Sequence, residues 1–378
     1  MKTVGIIAEY NPFHRGHQWQ LDAVRAKFGP DCAIVVALGG CFTQRGEPAV
    51  FTKYARTEAA LRCGADLVLE LSLPWAVSSA EGFARGGVAV LNALGNADTL
   101  VFGSECADID RLTRLAEALS GPTWEPLLRE KLRSGVGYAR ARQQALEAFL
   151  GEALPELNAR NDILAVEYLR ALNAQQSEMQ PCPLPRNPDF LPASELRQRG
   201  DFLEALPDAA AAVFRLELAA GRVQRPGILE AAMLARLRSM TEEEYALLPG
   251  AAEGLENRLR KAAWTSGCME ELLSRTVTKR YPAARVRRMA LSAFLGVPAG
   301  LEKTLPPYIR VLGLNERGRQ VLHEAKPSVP VVTKPADGKR FSVFQLEARA
   351  CALYALGFEN AEWRSGDMDV QASPVIIR

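Results

Sequence analysis

Two of the three histidines in this chain, His14 and His17, sit three residues apart with Arg15 and Gly16 between them. Imidazoles at that spacing can face one spot, as neutral donors or as imidazolium. There they would stabilise negative charge building on an α-phosphate during in-line displacement. Gly16 leaves room for the body of a nucleotide to approach the backbone. The flanking residues supply the setting. Val4 to Ile7 is a short apolar run that reads as a buried strand, and Glu9-Tyr10-Asn11-Pro12-Phe13 is a Pro-containing turn. From Gly16 onward, Gln20, Leu21, Ala23, Val24, Ala26 and Phe28 carry the period of an amphipathic helix. Strand, turn and helix N-terminus aim unpaired N–H groups and a positive dipole end at one place, which suits phosphate. The alternative is a pair of histidines that do no more than cap the helix.

The elements that position this stretch recur through the first half. Cys32 to Leu38 is a second apolar run closed by Gly39-Gly40, and Thr52 caps a helix running through Leu61 to Gly64. Asp66 to Leu71 follows as a third strand. Ser78-Ser79-Ala80-Glu81 starts a helix through Leu94, and Thr99 to Phe102 is a fourth strand. Alternation of this kind predicts an α/β fold with a doubly wound, Rossmann-like sheet, whose ligands bind outside the carboxyl ends of the strands. Those ends deliver Glu9 to His17, Gly39 to Glu47, Glu70 to Pro74 and Gly103-Ser104-Glu105, so a single pocket is the economical reading. Gly103 then reads as a close-approach glycine under an adenosine or as a plain turn, and Glu9 as a pocket anchor or a solvated strand end. After a helical stretch from Asp108 to Leu172, Asn161 reads as an N-cap. Pro181, Pro183 and Pro185 at alternate positions exclude helix, which makes Met179 to Arg186 a further strand with its exit.

Composition bounds the rest. The chain has 378 residues, 48% hydrophobic and 24% charged, with a net charge of +2, so a nucleic-acid surface must be a local patch. Seven dispersed cysteines, with no CxxC spacing, read as free thiols of a reducing compartment. Met1-Lys2-Thr3 runs straight into the first strand and no apolar run reaches membrane-spanning length, so a cytoplasmic location without membrane contact is expected. From Phe202 the helical period dominates, with short strands expected at Tyr308 to Gly313 and Val331 to Thr333. This places a boundary near Gly200. Between Arg258 and Arg288, nine basic residues stand against Glu270 and Glu271. Lys261, Arg275, Lys279, Arg280, Arg285, Arg287 and Arg288, with Trp264 and Tyr281 interleaved, form either an RNA-backbone patch or a solvated helix face. His323, near Arg317 and Arg319, reads as a surface histidine.

His14-Arg15-Gly16-His17 resembles the HxGH signature of the nucleotidyltransferase and class I synthetase-like superfamily. The longer string, Glu9 to His17, then Gln44-Arg45-Gly46-Glu47-Pro48-Ala49 and Phe102-Gly103-Ser104-Glu105, resembles the tRNA(Met) cytidine acetate ligase family, through most of the chain. That resemblance implies a nucleotidyltransferase-like catalytic domain over residues 1–200 and a mainly α-helical, tRNA-binding domain over 201–378. ATP would be held by Ile7, Glu9, Tyr10, Asn11, Pro12, Phe13, His14, Gly16, His17, Gln20, Gly103, Asn161, Arg186, Ser194 and Arg197, with His14 and His17 catalytic. Ser194 would cap a helix whose N–H groups grip the β- and γ-phosphates with Arg197. Acetate would be activated as acetyl-adenylate and passed to the wobble cytidine of elongator tRNA(Met), in the anticodon region. Mg2+ is the expected companion of ATP, although no Asp/Glu spacing defines its ligands and no protein metal site is expected. Several positions depart from the family. Asn187 to Pro192 is short and lacks a Gly-x-x-Tyr-His segment, Arg15 and Cys41 stand where Asn is common, and Asp162 replaces the second Asn of an Asn-Asn-Ile-Leu stretch. Two alternatives stay open, an adenylyltransferase acting on a small cofactor precursor and a non-catalytic nucleotide- or RNA-binding protein. Oligomeric state is not legible.

Overall fold

In the computed structural model, which describes residues 1–134, 136–199, 202–225 and 227–378, the first half alternates as expected. Strand β1 (Thr3–Ala8) leads to helix α1 (Arg15–Phe28), β2 (Ala33–Gly39) to α2 (Lys53–Arg62), and β3 (Leu67–Leu71) to α3 (Ala80–Leu94). Next come β4 (Thr99–Ser104), α4 (Ile109–Ser120), α5 (Glu125–Arg133), α6 (Tyr138–Leu150), α7 (Arg160–Ala174) and β5 (Gln180–Pro185). These five strands are parallel, in the order β5-β4-β1-β2-β3. Their side chains alternate between two cores, as strands covered on both faces must. Ile34, Val36 and Val68 face α1 and α2, while Val35, Ala37, Leu67 and Leu69 face α3 and α7. Thr52 caps α2 by accepting the Ala55 N–H at 3.1 Å, as its sequence position requires.

The second half begins with the short α8 (Ala193–Leu196) and α9 (Asp208–Ala220), which packs on α2. Helices α10 (Glu230–Ser239), α11 (Glu242–Ala246), α12 (Leu255–Thr265), α13 (Met269–Thr276) and α14 (Ala283–Leu295) enclose a core of their own around Leu237, Leu259 and Val286. The chain then returns to the sheet through β6 (Ile309–Leu314), α15 (Glu316–Glu324), β7 (Val331–Val332), α16 (Pro335–Gly338), α17 (Ser342–Ala355), α18 (Met368–Gln371) and β8 (Val375–Ile376). β6 lies antiparallel to β3, and β7 and β8 pair with β6. One sheet is therefore shared by the two halves of the chain. The boundary expected near Gly200 falls on residues outside those described. Among the described residues, no helix is long and apolar enough to cross a membrane.

Candidate active site

β1 ends at the point where the strand order turns, with β2 on one side and β4 on the other. An open α/β sheet leaves its crevice at that point. The turn from Glu9 to His14 crosses the mouth, with a cis Asn11–Pro12 bond and Tyr10 at a φ of 46°. The Phe13 ring is fully buried and lies edge-on to Tyr10, whose ring centroid is 4.8 Å away and also 4.8 Å from that of His17. His14 is the N-cap of α1. Its Nδ1 accepts the Gly16 N–H at 3.0 Å, while Nδ1 of His17 accepts the His14 N–H at 3.2 Å. The two rings lie 3.8 Å apart, tilted by 31°.

This capping settles the tautomers. A nitrogen that accepts an N–H carries no proton, so in each neutral ring the proton is on Nε2. Neither Nε2 has a protein partner among the described residues. Burial, with Arg186 nearby, lowers the His14 pKa from its ordinary 6.5 to about 4. Burial and then the proximity of His14 hold His17 well below the ordinary value. Of the two states the sequence allows, the structure selects the neutral one, and the site presents two Nε2–H donors. The capping and donor roles coexist because they use different nitrogens.

The depressed values have a pH consequence. Between about pH 4 and 6.5 the unfolded chain binds a proton at position 14 that the folded protein does not, so this contribution to stability is complete above 6.5 and is lost as the pH falls toward 4. Thermal midpoints measured from pH 7 to pH 5 should therefore fall less for a His14→Asn, His17→Gln protein than for its parent. The difference between the two proteins isolates the histidines from other titrating groups. An equal fall would show that the histidines are not held neutral.

Gly16 lacks a side chain because His14 occupies its space. A Cβ there would lie 2.8 Å from Cε1 of His14 and 3.1 Å from Cβ of Phe190. Phe190 belongs to the short loop before α8, so this loop packs against the signature. The space over Gly103 is open, with no atom within 4 Å of an added Cβ. The side chain of Ile7 packs against Gly87 of α3, and Gln20 is partly buried one turn after His17 on α1.

Two expected caps are corrected. The N-cap of α7 is Ala159, and Asn161 lies inside the helix. The capping is done by Glu105, from the end of β4, whose carboxylate accepts the N–H groups of Asn161 and Asp162 at 3.1 Å and the Asn161 Nδ2 at 2.9 Å. Asp162 reciprocates by accepting the Ser104 hydroxyl at 2.5 Å and the Glu105 N–H at 2.8 Å. A carboxylate from another element can replace a local cap because the orphan N–H groups require only an acceptor. The N-cap of α8 is Pro192, with Ser194 inside that helix and no side-chain cap bond.

Arginines ring the crevice. Arg186, following β5, lies 4.0 Å from Glu105. Arg197 donates to the Asn11 carbonyl at 2.8 Å and lies 3.9 Å from Glu47. Arg15, by contrast, faces away and donates to the Leu206 carbonyl at 3.3 Å. Glu9 anchors the next loop by accepting the Gln44 N–H at 2.6 Å, and the Asn11 side chain accepts the Val50 N–H at 2.8 Å. Sequence reading missed Arg56. It is fully buried in α2 and donates to the carbonyls of Glu9 (2.6 Å), Gly39 (3.0 Å), Gly40 and Phe51 (3.1 Å), clamping the ends of β1 and β2 together. An arginine in a helix carries no sign of such a role.

The basic residues divide. Lys261, Arg275, Lys279 and Arg280 are exposed, as is Trp264, at 65%. Arg285 pairs with Glu253 at 3.0 Å, while the Tyr281 ring is buried. Arg287 and Arg288 face the loop beside the crevice. Arg287 lies 3.4 Å from Glu47, and Arg288 donates to the Gln44 carbonyl at 3.2 Å. His323 is exposed on α15. All seven cysteines are free.

A parallel sheet that delivers His-x-Gly-His to its first helix, with Arg186 following β5 and Arg197 ending α8, defines a nucleotide-binding protein of the nucleotidyl transferase class. A family model described as HIGH Nucleotidyl Transferase matches residues 1–369. The tRNA(Met) cytidine acetate ligase of Acetivibrio thermocellus is 34% identical over the full length of both chains, and that of Clostridium perfringens is 30% identical over the same extent. A crystal structure of Thermotoga maritima TmcAL bound with alpha-thio ATP superimposes with a TM-score of 0.92 at 32% identity, covering all of both chains. The chain belongs to the tRNA(Met) cytidine acetate ligase family.

Proposed function

We infer that this protein joins acetate to the wobble cytidine of elongator tRNA(Met), through an acetyl-adenylate made from ATP. The observation that carries this reading is the placement of His14 and His17 at the start of α1, each Nδ1 taken by a backbone N–H, which leaves Nε2 of each neutral ring as the donor. In the first step the acetate carboxylate attacks the α-phosphorus and pyrophosphate leaves. Charge gathers on the non-bridging oxygens, where fixed donors stabilise the transition state more than the ground state. Arg186 and Arg197 hold the phosphates, and open space at Gly103 receives the adenosine. In the second step the exocyclic amine of cytidine attacks the acetyl carbon and AMP leaves. A splayed anticodon base can reach such a site, with its backbone held by exposed basic residues such as Lys261, Arg275, Lys279 and Arg280.

Among the described residues, no group of three or more His, Cys, Asp or Glu is placed to hold a metal ion. Mg2+, where it accompanies ATP, would neutralise charge on the triphosphate. The relative bound to alpha-thio ATP and the names of the full-length relatives support ATP and tRNA(Met) as the substrates.

The test is exchange of labelled pyrophosphate into ATP with a panel of small carboxylates, without tRNA and then with it. Exchange that depends on acetate is the expected result. Exchange supported by no carboxylate in either condition would overturn the ligase reading in favour of another AMP acceptor or a binding protein.

A further inference from the structure

The hairpin from Thr43 to Glu47 is closed on itself by the Gly46 N–H on the Thr43 carbonyl and the Thr43 N–H on the Glu47 carbonyl, both at 2.9 Å. It has two different neighbours. On one side Glu9 holds its Gln44 N–H, at the end of β1. On the other, Gly46 adopts a φ of +79° and presses on α14, where a Cβ would come within 2.6 Å of the Arg288 nitrogen. A single carboxylate faces both ways. Oε2 of Glu47 lies 3.9 Å from Arg197, at the crevice, and Oε1 lies 3.4 Å from Arg287, on the basic helix. Glu47 is partly exposed, at 38%, so both pairs are adjustable.

We propose that Glu47 is a positioning residue shared by the triphosphate face and the RNA face, so that the two polyanions compete through it and RNA engages fully only after pyrophosphate leaves. This rests on the ligase reading above. A phosphate that takes Arg197 displaces Glu47 from it and repels the carboxylate, which then leans on Arg287 and screens it from RNA. When pyrophosphate departs, Arg197 again shares Glu47 with Arg287, as in this structure, and Arg287 is freer to take an RNA phosphate. Coupling between two ligands is reciprocal, so bound RNA weakens triphosphate binding by the same factor. The acetyl-adenylate is thus completed before the acceptor is drawn fully onto the site.

The test measures binding of an unmodified tRNA(Met) transcript with and without the α,β-methylene analogue of ATP, which cannot release pyrophosphate. The parent protein, Glu47→Gln, Glu47→Asp, Arg287→Gln and the Glu47→Gln, Arg287→Gln double variant are compared. The analogue should weaken RNA binding to the parent, and Glu47→Gln should shrink that effect by about two- to fivefold, the range of partly exposed ion pairs. Glu47→Gln should also tighten each ligand alone, and Glu47→Asp should restore the coupling. Arg287→Gln should weaken the analogue in the parent but not in the Glu47→Gln background, a non-additivity that a merely structural role would not produce. Equal coupling in the parent and Glu47→Gln, with both ligands bound, would overturn the proposal alone. A parent that binds neither ligand would overturn the ligase reading beneath it.

Discussion

Replacing His14 with asparagine should lower acetate-dependent ATP–pyrophosphate exchange by about 10²- to 10³-fold, the usual effect of removing one fixed donor from a developing oxyanion. The fold should be nearly as stable as before. His14 does two things with two nitrogens, and asparagine can replace only one of them. Its side-chain oxygen is a good N-cap acceptor for the Gly16 N–H, which His14 Nδ1 accepts at 3.0 Å. It is too short to put a donor where Nε2–H stands. His14→Ala should lose the donor and also about 1 kcal/mol of cap stability. Exchange rates and thermal midpoints for the two variants separate the roles. Equal exchange in His14→Asn and the parent would remove His14 from catalysis and leave it a cap.

Replacing Lys53 with methionine should destabilise the protein by about 3–5 kcal/mol, because it leaves buried carboxylates without their counter-charge. Lys53 is fully buried and is bonded to Glu70, lying 3.3 Å from Glu347 and 2.6 Å from Asp369. Arg310 adds contacts to Glu70 at 3.4 Å and Asp369 at 2.7 Å, and Tyr54 donates to Asp369 at 2.8 Å. Two cations thus serve three carboxylates. Burial, opposed by Lys53, raises the Glu347 pKa to about 7, so near neutrality this carboxyl is partly protonated and eases the imbalance. Lys53 and Arg310 together keep Asp369 ionised, well below the ordinary carboxylate range, against the effect of burial. The network joins α2, β3, β6, α17 and α18, and so ties the chain's end to the strand ends that carry the site. Equilibrium urea unfolding measures the loss, and adding Glu347→Gln to Lys53→Met should recover part of it, because the ion pair of Glu347 is with Lys53 whereas Glu70 and Asp369 keep Arg310. A loss below about 1 kcal/mol would mean that water reaches the cluster and the pairs behave as surface pairs.

Much of the site was legible because its information is local. β1, the turn and α1 are consecutive, so the apolar run, the proline and the helical period together place His14 and His17 at a helix start. Four of the five parallel strands were legible for the same reason, each being a short apolar run between turn residues, and β5 was legible because its alternate prolines exclude helix. Capping was legible only where donor and acceptor are neighbours, as at Thr52. At α7 the acceptor, Glu105, is 56 residues before Asn161, and no local pattern announces it.

What the sequence by itself determined is the chemistry that residue type and short spacing carry: two imidazoles around a glycine, the strand–turn–helix that aims them, and a mainly helical second half with one basic window. Tertiary structure alone decided that both imidazoles are neutral, since desolvation depends on what covers a ring. It also decided that β6 to β8 complete the first half's sheet, that Arg56 clamps two strand ends, and that Glu47 stands between Arg197 and Arg287. Those contacts join residues far apart in the chain, and long-range pairing is set by how the whole chain packs.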